Sequence, residues 1–128
     1  MNLKRLTEFR RMLEELRQEL SQSLQRRELI VVEEAADALD RHVGAASRET
    51  AVLHLQRASK KLRAVDAALD RLQAGDFGEC LGCEEPIHPL RLHAVPWAEL
   101  CLHCQEEADR KINERSVLDT RFRLGQAA

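Results

Sequence analysis

The chain's four cysteines fall in two C-x-x-C pairs, Cys80-Leu81-Gly82-Cys83 and Cys101-Leu102-His103-Cys104, with 17 residues between the pairs. A C-x-x-C loop sets two thiolates at adjacent corners of a tetrahedron, and a second loop closes the shell. Four soft thiolates suit Zn²⁺, whose filled d shell imposes no geometry of its own. No ligand position stays open. The spacing therefore predicts one structural Zn²⁺ held by Cys80, Cys83, Cys101 and Cys104, and no metal catalysis. Two disulfides, or a redox-active C-x-x-C, are the alternatives the same residues allow. His88, His93 and His103 lie beside the cysteines, but four sulfurs already complete a shell, which assigns these imidazoles to the surface or behind the ligands.

The elements that must carry the cysteines follow from the flanking residues. Pro86, Pro89 and Pro96 are all the prolines in the chain and fall between Phe77 and Trp97, which argues for a loop-rich knuckle without continuous helix. Trp97 reads as an apolar anchor packing the finger against the base of the preceding helices. Cys101-x-x-Cys104 opens a further helix through about Ser116, and residues 117–128 read as an extension or as disorder.

Upstream, Leu3, Leu6, Phe9, Leu13, Leu16, Leu20 and Leu24 recur in steps of three and four, the period of a helix with one apolar stripe. Charged residues fill the intervening positions and can pair at i,i+4. The pattern predicts a helix from about 2 to about 35. The Leu29-Ile30-Val31-Val32 patch spreads around that helix and weakens its stripe. Asp residues and Gly44 place a reversal at about 36–43, where carboxylates can cap a new helix and glycine permits unusual backbone angles. A second helix with Leu55, Ala58, Leu62, Val65, Leu69 and Leu72 then runs to Ala74, and Gly75-Asp76 ends it. The fold class is therefore mainly α: a long antiparallel coiled-coil hairpin over 1–74, a four-cysteine zinc finger with its following helix over 75–116, and a tail over 117–128. Arms of 30–35 residues would be ~50 Å long, and a metal module at their base would clamp the open ends.

Composition agrees with a thin architecture. There is no tyrosine, one tryptophan and three phenylalanines, while 33% of residues are charged; such a chain suits a helix pair burying a narrow stripe. The net charge of −2, with signs interspersed, gives no basic face for nucleic acid. The start of the chain has no apolar signal core and no run is long enough to span a bilayer, so the expectation is a cytoplasmic protein without membrane contact. In that reducing compartment paired C-x-x-C motifs favour metal over disulfide. No Gly-rich phosphate loop, H-E-x-x-H or recognisable nucleophile is present, and the reading is not an enzyme.

Three stretches carry a resemblance to a known family. Gly75-Asp76-Phe77-Gly78-Glu79-Cys80-x-x-Cys83, then Ile87, Arg91-Leu92-x-Ala94-x-Pro96 and Leu100-Cys101-x-x-Cys104 form the first. Asp37-Ala38-Leu39-Asp40-Arg41 resembles an acidic tip motif D-x-x-D-x-A, and Phe9-Arg10-Arg11-Met12-Leu13-Glu14 a first coil helix. Together they resemble the DksA/TraR family of bacterial zinc-finger transcription regulators over about residues 1–110. The likeness is to the DksA-like branch, without the segment that longer members carry before the coil.

The resemblance implies a partner and a mechanism. Such proteins insert the hairpin into the secondary channel of RNA polymerase, so that tip carboxylates approach the active-site region and alter initiation at sensitive promoters. They often act with ppGpp in the stringent response. Asp37 and Asp40 would be the effector pair, and Arg57 and Lys60 match basic coil positions that face polymerase. Taken alone, those carboxylates read as solvated turn caps, and Arg57, Lys60 and Lys61 as the wet face of a coil.

The chain departs from the family pattern twice. His42 replaces the final alanine of the tip motif and brings a larger group that can gain a proton near neutral pH. The positions matching the family's basic ppGpp residues are Ala64, Val95 and Gln105, none of them cationic. A polyphosphate needs charge-assisted donors, so weak or no ppGpp binding by the chain's own residues is expected. The leading reading is a monomeric, polymerase-binding regulator of initiation without sequence-specific DNA binding. The alternatives are a zinc-finger module that binds DNA or a protein directly, and a cytosolic thiol–disulfide protein.

Overall fold

In a computed structural model, the structure describes residues 1–41 and 45–126, with the backbone alone described at 28, 30–32, 34–41, 45–47 and 126. Four helices follow in order: α1 (Leu3–Arg41), α2 (Ala45–Ala74), α3 (Pro89–Ala94) and α4 (Leu102–Gln126). The chain divides into two compact units, Met1–Phe77 and Gly78–Ala128.

The first unit is a pair of long helices. Asn2 opens α1 by accepting the Lys4 amide at 3.2 Å through its side chain, as an N-cap does. Phe9 and Leu13 from α1 are buried with Ala58, Val65, Ala68 and Leu72 from α2 and with Phe77 beyond it. Of the stripe read from the sequence, Phe9, Leu13, Ala58, Val65 and Leu72 are buried, Leu6, Leu16, Leu20, Leu24, Leu55, Leu62 and Leu69 are half-buried, and Leu3 stays 80% exposed. Three cross-links show that the helices run antiparallel. Phe9 meets Phe77 with ring centroids 5.2 Å apart, Arg17 Nη1 lies 3.9 Å from Asp66 Oδ1, and Arg27 Nη1 donates to the His54 carbonyl at 3.2 Å. At 1.5 Å per residue the arms measure ~58 and ~45 Å.

The expected break near residue 36 does not occur. Helix α1 continues through Asp37 and Asp40 to Arg41, and α2 begins at Ala45. Of the expected reversal at about 36–43, residues 42 and 43 lie outside the described residues. Ala35, Ala36, Ala38 and Leu39 are strong helix formers and outweigh two aspartates at mid-helix positions. At the other end of α2 the stop is as read. Gly75 has φ 84°, its amide reaches the Leu72 carbonyl at 3.3 Å, and Asp76 donates to the Arg71 carbonyl at 2.9 Å. This pair of bonds is a Schellman cap, and glycine takes its left-handed position without strain.

The second unit is small and carries the cysteines. Its buried side chains include Cys80, Ile87, Leu92 and Ala98. Within the proline-bearing stretch a six-residue helix, α3, was not anticipated. His88 caps it by accepting the Leu90 amide on Nδ1 at 3.1 Å, and Pro89 occupies its first turn, where the missing N–H costs nothing. The last helix also runs further than the expected end near Ser116, reaching Gln126. An Arg123–Asp119 pair at 3.2 Å spans one turn of that extension, the i,i+4 spacing that supports an exposed helix. No described helix is long and apolar enough to cross a membrane.

Candidate functional site

Cys80, Cys83, Cys101 and Cys104 converge in the second unit, with all four Sγ atoms within 4.8 Å of one another. Cys80 and Cys83 are carried by a tight knuckle. The Cys80 amide donates to the Glu85 carbonyl at 2.8 Å, the Glu84 amide returns to the Cys80 carbonyl at 2.9 Å, and the Ile87 amide reaches the Gly78 carbonyl at 2.7 Å. An isolated antiparallel bridge between Glu79 and Pro86 closes its base. Glu84 takes φ 62° in this turn, a left-handed angle uncommon for a side chain of its kind. Cys101 and Cys104 sit at the start of α4, with the Gln105 amide on the Cys101 carbonyl at 2.9 Å.

Two further contacts hold the cysteine loops together. The Leu81 amide donates to the Glu99 carbonyl at 2.9 Å, and Arg91 Nε donates to the Leu100 carbonyl at 3.0 Å. Between the loops, Gly82 leaves no room for a side chain. A Cβ there would stand 3.1 Å from Cys104 Sγ and 3.3 Å from its Cβ. The packing role of Gly82 shows only once the second loop is in place.

The electrostatics favour a cation. Backbone amides point at sulfur: Cys101 N–H to Cys80 Sγ at 3.2 Å, Gly82 N–H to the same sulfur at 3.4 Å, and Cys104 N–H to Cys101 Sγ at 3.4 Å. Such donors stabilise thiolate. The Cys101 amide is the main reason that the Cys80 thiol is lowered to about 6, against the opposing effect of burial. Cys104 is pushed up to about 12, first by its sulfur contact with Cys101, then by that with Cys80 and by desolvation. For Cys83 the Glu85 amide pulls down, yet desolvation of its sulfur and contacts with Cys80 and Cys101 outweigh it, and the net direction is up. Four thiols this close cannot all ionise without a positive charge among them.

A divalent metal supplies that charge. The Cys83 and Cys101 sulfurs are 3.9 Å apart, close to the ~3.8 Å edge of a tetrahedron with 2.3 Å metal–sulfur bonds. That separation is far beyond a disulfide bond of ~2.05 Å, and all four thiols are free. The residues present therefore fit one Zn²⁺ with four sulfur ligands, a closed shell that would hold the two loops together. His88 is spent on its helix cap, and His103 Nε2 lies 3.4 Å from Glu107 Oε1, so neither imidazole is needed as a ligand.

The other residues singled out from the sequence are placed elsewhere. Asp37 and Asp40 lie on the backbone of the last turns of α1, and His42 lies outside the described residues. Arg57 and Lys60 are exposed on α2, three residues apart and so on one helix face. Gln105 and Val95 are half-buried in the second unit, and Ala64 is half-buried on α2.

Comparison with known proteins agrees with this geometry. Residues 75–110 match the model of the prokaryotic dksA/traR C4-type zinc finger. An uncharacterized protein of Aquifex aeolicus is 42% identical over 50 residues, covering 39% of this chain and about a third (34%) of that protein. The RNA polymerase-binding transcription factor DksA of Escherichia coli strain K12 is 34% identical over 112 residues, 85% of this chain and 74% of that protein. Among solved structures, transcription factor DksA2 from Pseudomonas aeruginosa superposes with a TM-score of 0.69 at 31% identity, covering 88% of this chain and 89% of that one. With a matching finger, a likeness in sequence over 85% of its length and the same helical framework, the chain belongs to the DksA/TraR family.

Proposed function

We propose that this chain is a regulator of transcription initiation that binds RNA polymerase through its secondary channel. The observation that carries this is the 34% identity over 85% of the chain to a factor named for polymerase binding. The coil supports it physically. Two antiparallel arms of ~45–58 Å reach far enough to act at depth in a channel. In this reading Asp37 and Asp40, together with His42 beyond them, are delivered to the polymerase active-site region. Arg57 and Lys60 contact the channel wall. Neither unit acts as an enzyme; the effect is exerted on polymerase.

One copy of the protein acts in the cytoplasm, and the metal serves structure. The positions that would supply cations to a shared ppGpp site are Ala64, Val95 and Gln105, so the effect gains little from ppGpp through this chain's residues. Direct DNA binding by the finger is disfavoured by charge. Glu79, Glu84, Glu85, Glu99, Glu106 and Glu107 face a single arginine, Arg91, over that stretch, and phosphate would be repelled.

Competition tests the reading. Zinc-loaded protein should displace another secondary-channel factor from core polymerase at micromolar concentration, and should leave bare duplex DNA unshifted. Absence of displacement would remove the channel assignment, and a salt-dependent shift of bare duplex would favour the DNA-binding alternative.

A further inference from the structure

Both polar groups of the peptide unit between Leu100 and Cys101 are engaged. Its carbonyl accepts the Arg91 Nε–H at 3.0 Å, and its N–H donates to Cys80 Sγ at 3.2 Å. Arg91 belongs to α3, Cys80 to the first cysteine loop and Cys101 to the second. One planar group therefore joins a cationic side chain to a ligand sulfur of the opposite loop.

The carbonyls on either side are also held. Leu81 N–H meets the Glu99 carbonyl and Gln105 N–H the Cys101 carbonyl, each at 2.9 Å. Those donors are backbone amides, which almost any sequence supplies. The donor to Leu100 is a side chain, and it alone of the three carries a formal charge. Arg91 is half-buried on a helix fixed by its neighbour Leu92, 1% exposed, and by the His88 cap at 3.1 Å. A side chain launched from so fixed a backbone gives up less freedom when it bonds.

Two effects pass through the peptide. It is planar and trans, so holding its oxygen fixes the direction of its N–H. A guanidinium on that oxygen also draws electron density towards it and leaves the N–H more positive, as bonds in a chain strengthen one another. The sulfur at the far end has few other donors. Cys80 is 2% exposed, so amides replace water around it, and the second of them, Gly82 N–H, is more distant at 3.4 Å. We propose that Arg91 is a positioning residue for the metal centre: through the Leu100–Cys101 peptide it aims and polarises the Cys101 N–H at the Cys80 sulfur, and so slows release of the metal. Because this contact runs from the second loop to the first, losing it loosens both. The inference rests on the four-cysteine site alone and is independent of what the coil binds.

The test uses ¹⁵N-labelled full chain loaded with ¹¹³Cd, which substitutes for zinc among four thiolates and whose nuclear spin couples to an amide proton through an N–H···S bond. The parent should bind one metal per chain and show that coupling at the Cys101 amide. Arg91→Met keeps the length of the stem and removes the donor. Its Cys101 coupling should vanish, while the Gly82 and Cys104 amides, which meet sulfur without help from Arg91, keep their parental signals. Metal loss to a chromophoric chelator should quicken about tenfold, at the low end for partners standing behind a ligand. In Arg91→Gln the amide nitrogen stands as many bonds from Cα as Arg Nε does, so the bond returns without the charge. Coupling should reappear, with release about threefold faster than the parent's. The proposal is overturned if the parent shows no coupling at Cys101, or if Arg91→Met releases metal at the parental rate. It is equally overturned if Arg91→Gln behaves like Arg91→Met or releases metal as slowly as the parent. A joint change of all three amides would also overturn it, marking a side chain that only holds the fold.

Discussion

The two units are held by different physics. The coil buries a thin seam, Phe9 and Leu13 against Ala58, Val65, Ala68 and Leu72, repeated with helical period over two long helices. The second unit buries few side chains and relies on four sulfurs, N–H···S contacts and a knuckle of backbone bonds. In the coil every residue added to the seam contributes a little, so stability is spread along it. In the finger one ion replaces a core, so stability is concentrated at a point. The contrast explains why a metal can serve structure in a protein whose proposed contact with its partner belongs to the other unit.

Perturbations should separate the two regimes. The largest effect is expected from Cys101→Ser, which leaves three sulfurs and weakens zinc-coupled folding, worth on the order of 10 kcal/mol when the four-ligand shell is complete. Amide hydrogen exchange should then report loss of protection over Gly78–Ala98, while the seam around Val65 keeps its protection. Equal collapse of both regions would show that the coil depends on the metal as strongly as the finger does.

Leu13→Ala should act in the opposite sense. Leu13 is fully buried, and a leucine-to-alanine cavity costs about 2–5 kcal/mol. The coil melting transition should drop while bound zinc, measured by a chromophoric chelator, stays at one per chain. Loss of zinc in this variant would mean that the finger's geometry is set by the coil.

Zinc affinity should also depend on pH, with a sign fixed by the thiols. Cys104 is raised to about 12 and Cys83 is raised above its ordinary value of 9.0, so both hold protons near pH 7 that zinc must displace. Cys80, at about 6, has already lost its own. Apparent affinity is therefore expected to fall by at least about 100-fold for each pH unit from 8 to 7, these two thiols alone taking up two protons. Below pH 6 the slope steepens as Cys80 protonates. Metal-competition titrations across that range check it, and a slope of one proton or less would contradict the assigned thiol states. The smallest effect is Gly82→Ala. Its new Cβ meets Cys104 Sγ at 3.1 Å, so a shift of a few tenths of an ångström should lower zinc affinity a few-fold with no change in coil melting.

The same contrast governs what the sequence revealed. Periodicity reports repetition, so most of the coil seam and its glycine stop were readable, though Ala68 was not, and so were four cysteines at fixed spacing. Helix ends depend on smaller balances. Asp37 and Asp40 suggested a break that the alanines and leucine around them override, and the run after Ser116 stays helical with one local ion pair, Arg123–Asp119, which leaves no apolar pattern. Helix α3 was hidden because its cap is His88, a residue with no strong capping preference, ahead of a proline that reads first as a breaker. Gly82's contact with Cys104 needs both loops folded, and no single stretch of sequence carries it.

In the proposed division of labour the coil tip acts on polymerase while the finger serves structure. It is tested most directly by transcription in vitro from a ribosomal promoter with zinc-loaded parent and Asp37→Asn/Asp40→Asn proteins, with core-polymerase affinity measured in parallel. The predicted result is polymerase affinity within about threefold of the parent, since under ~0.7 kcal/mol is at stake, together with loss of the parent's effect on transcript yield, with or without ppGpp. Retention of the full regulatory effect by the double variant, or loss of polymerase binding with its zinc and fold intact, would contradict it.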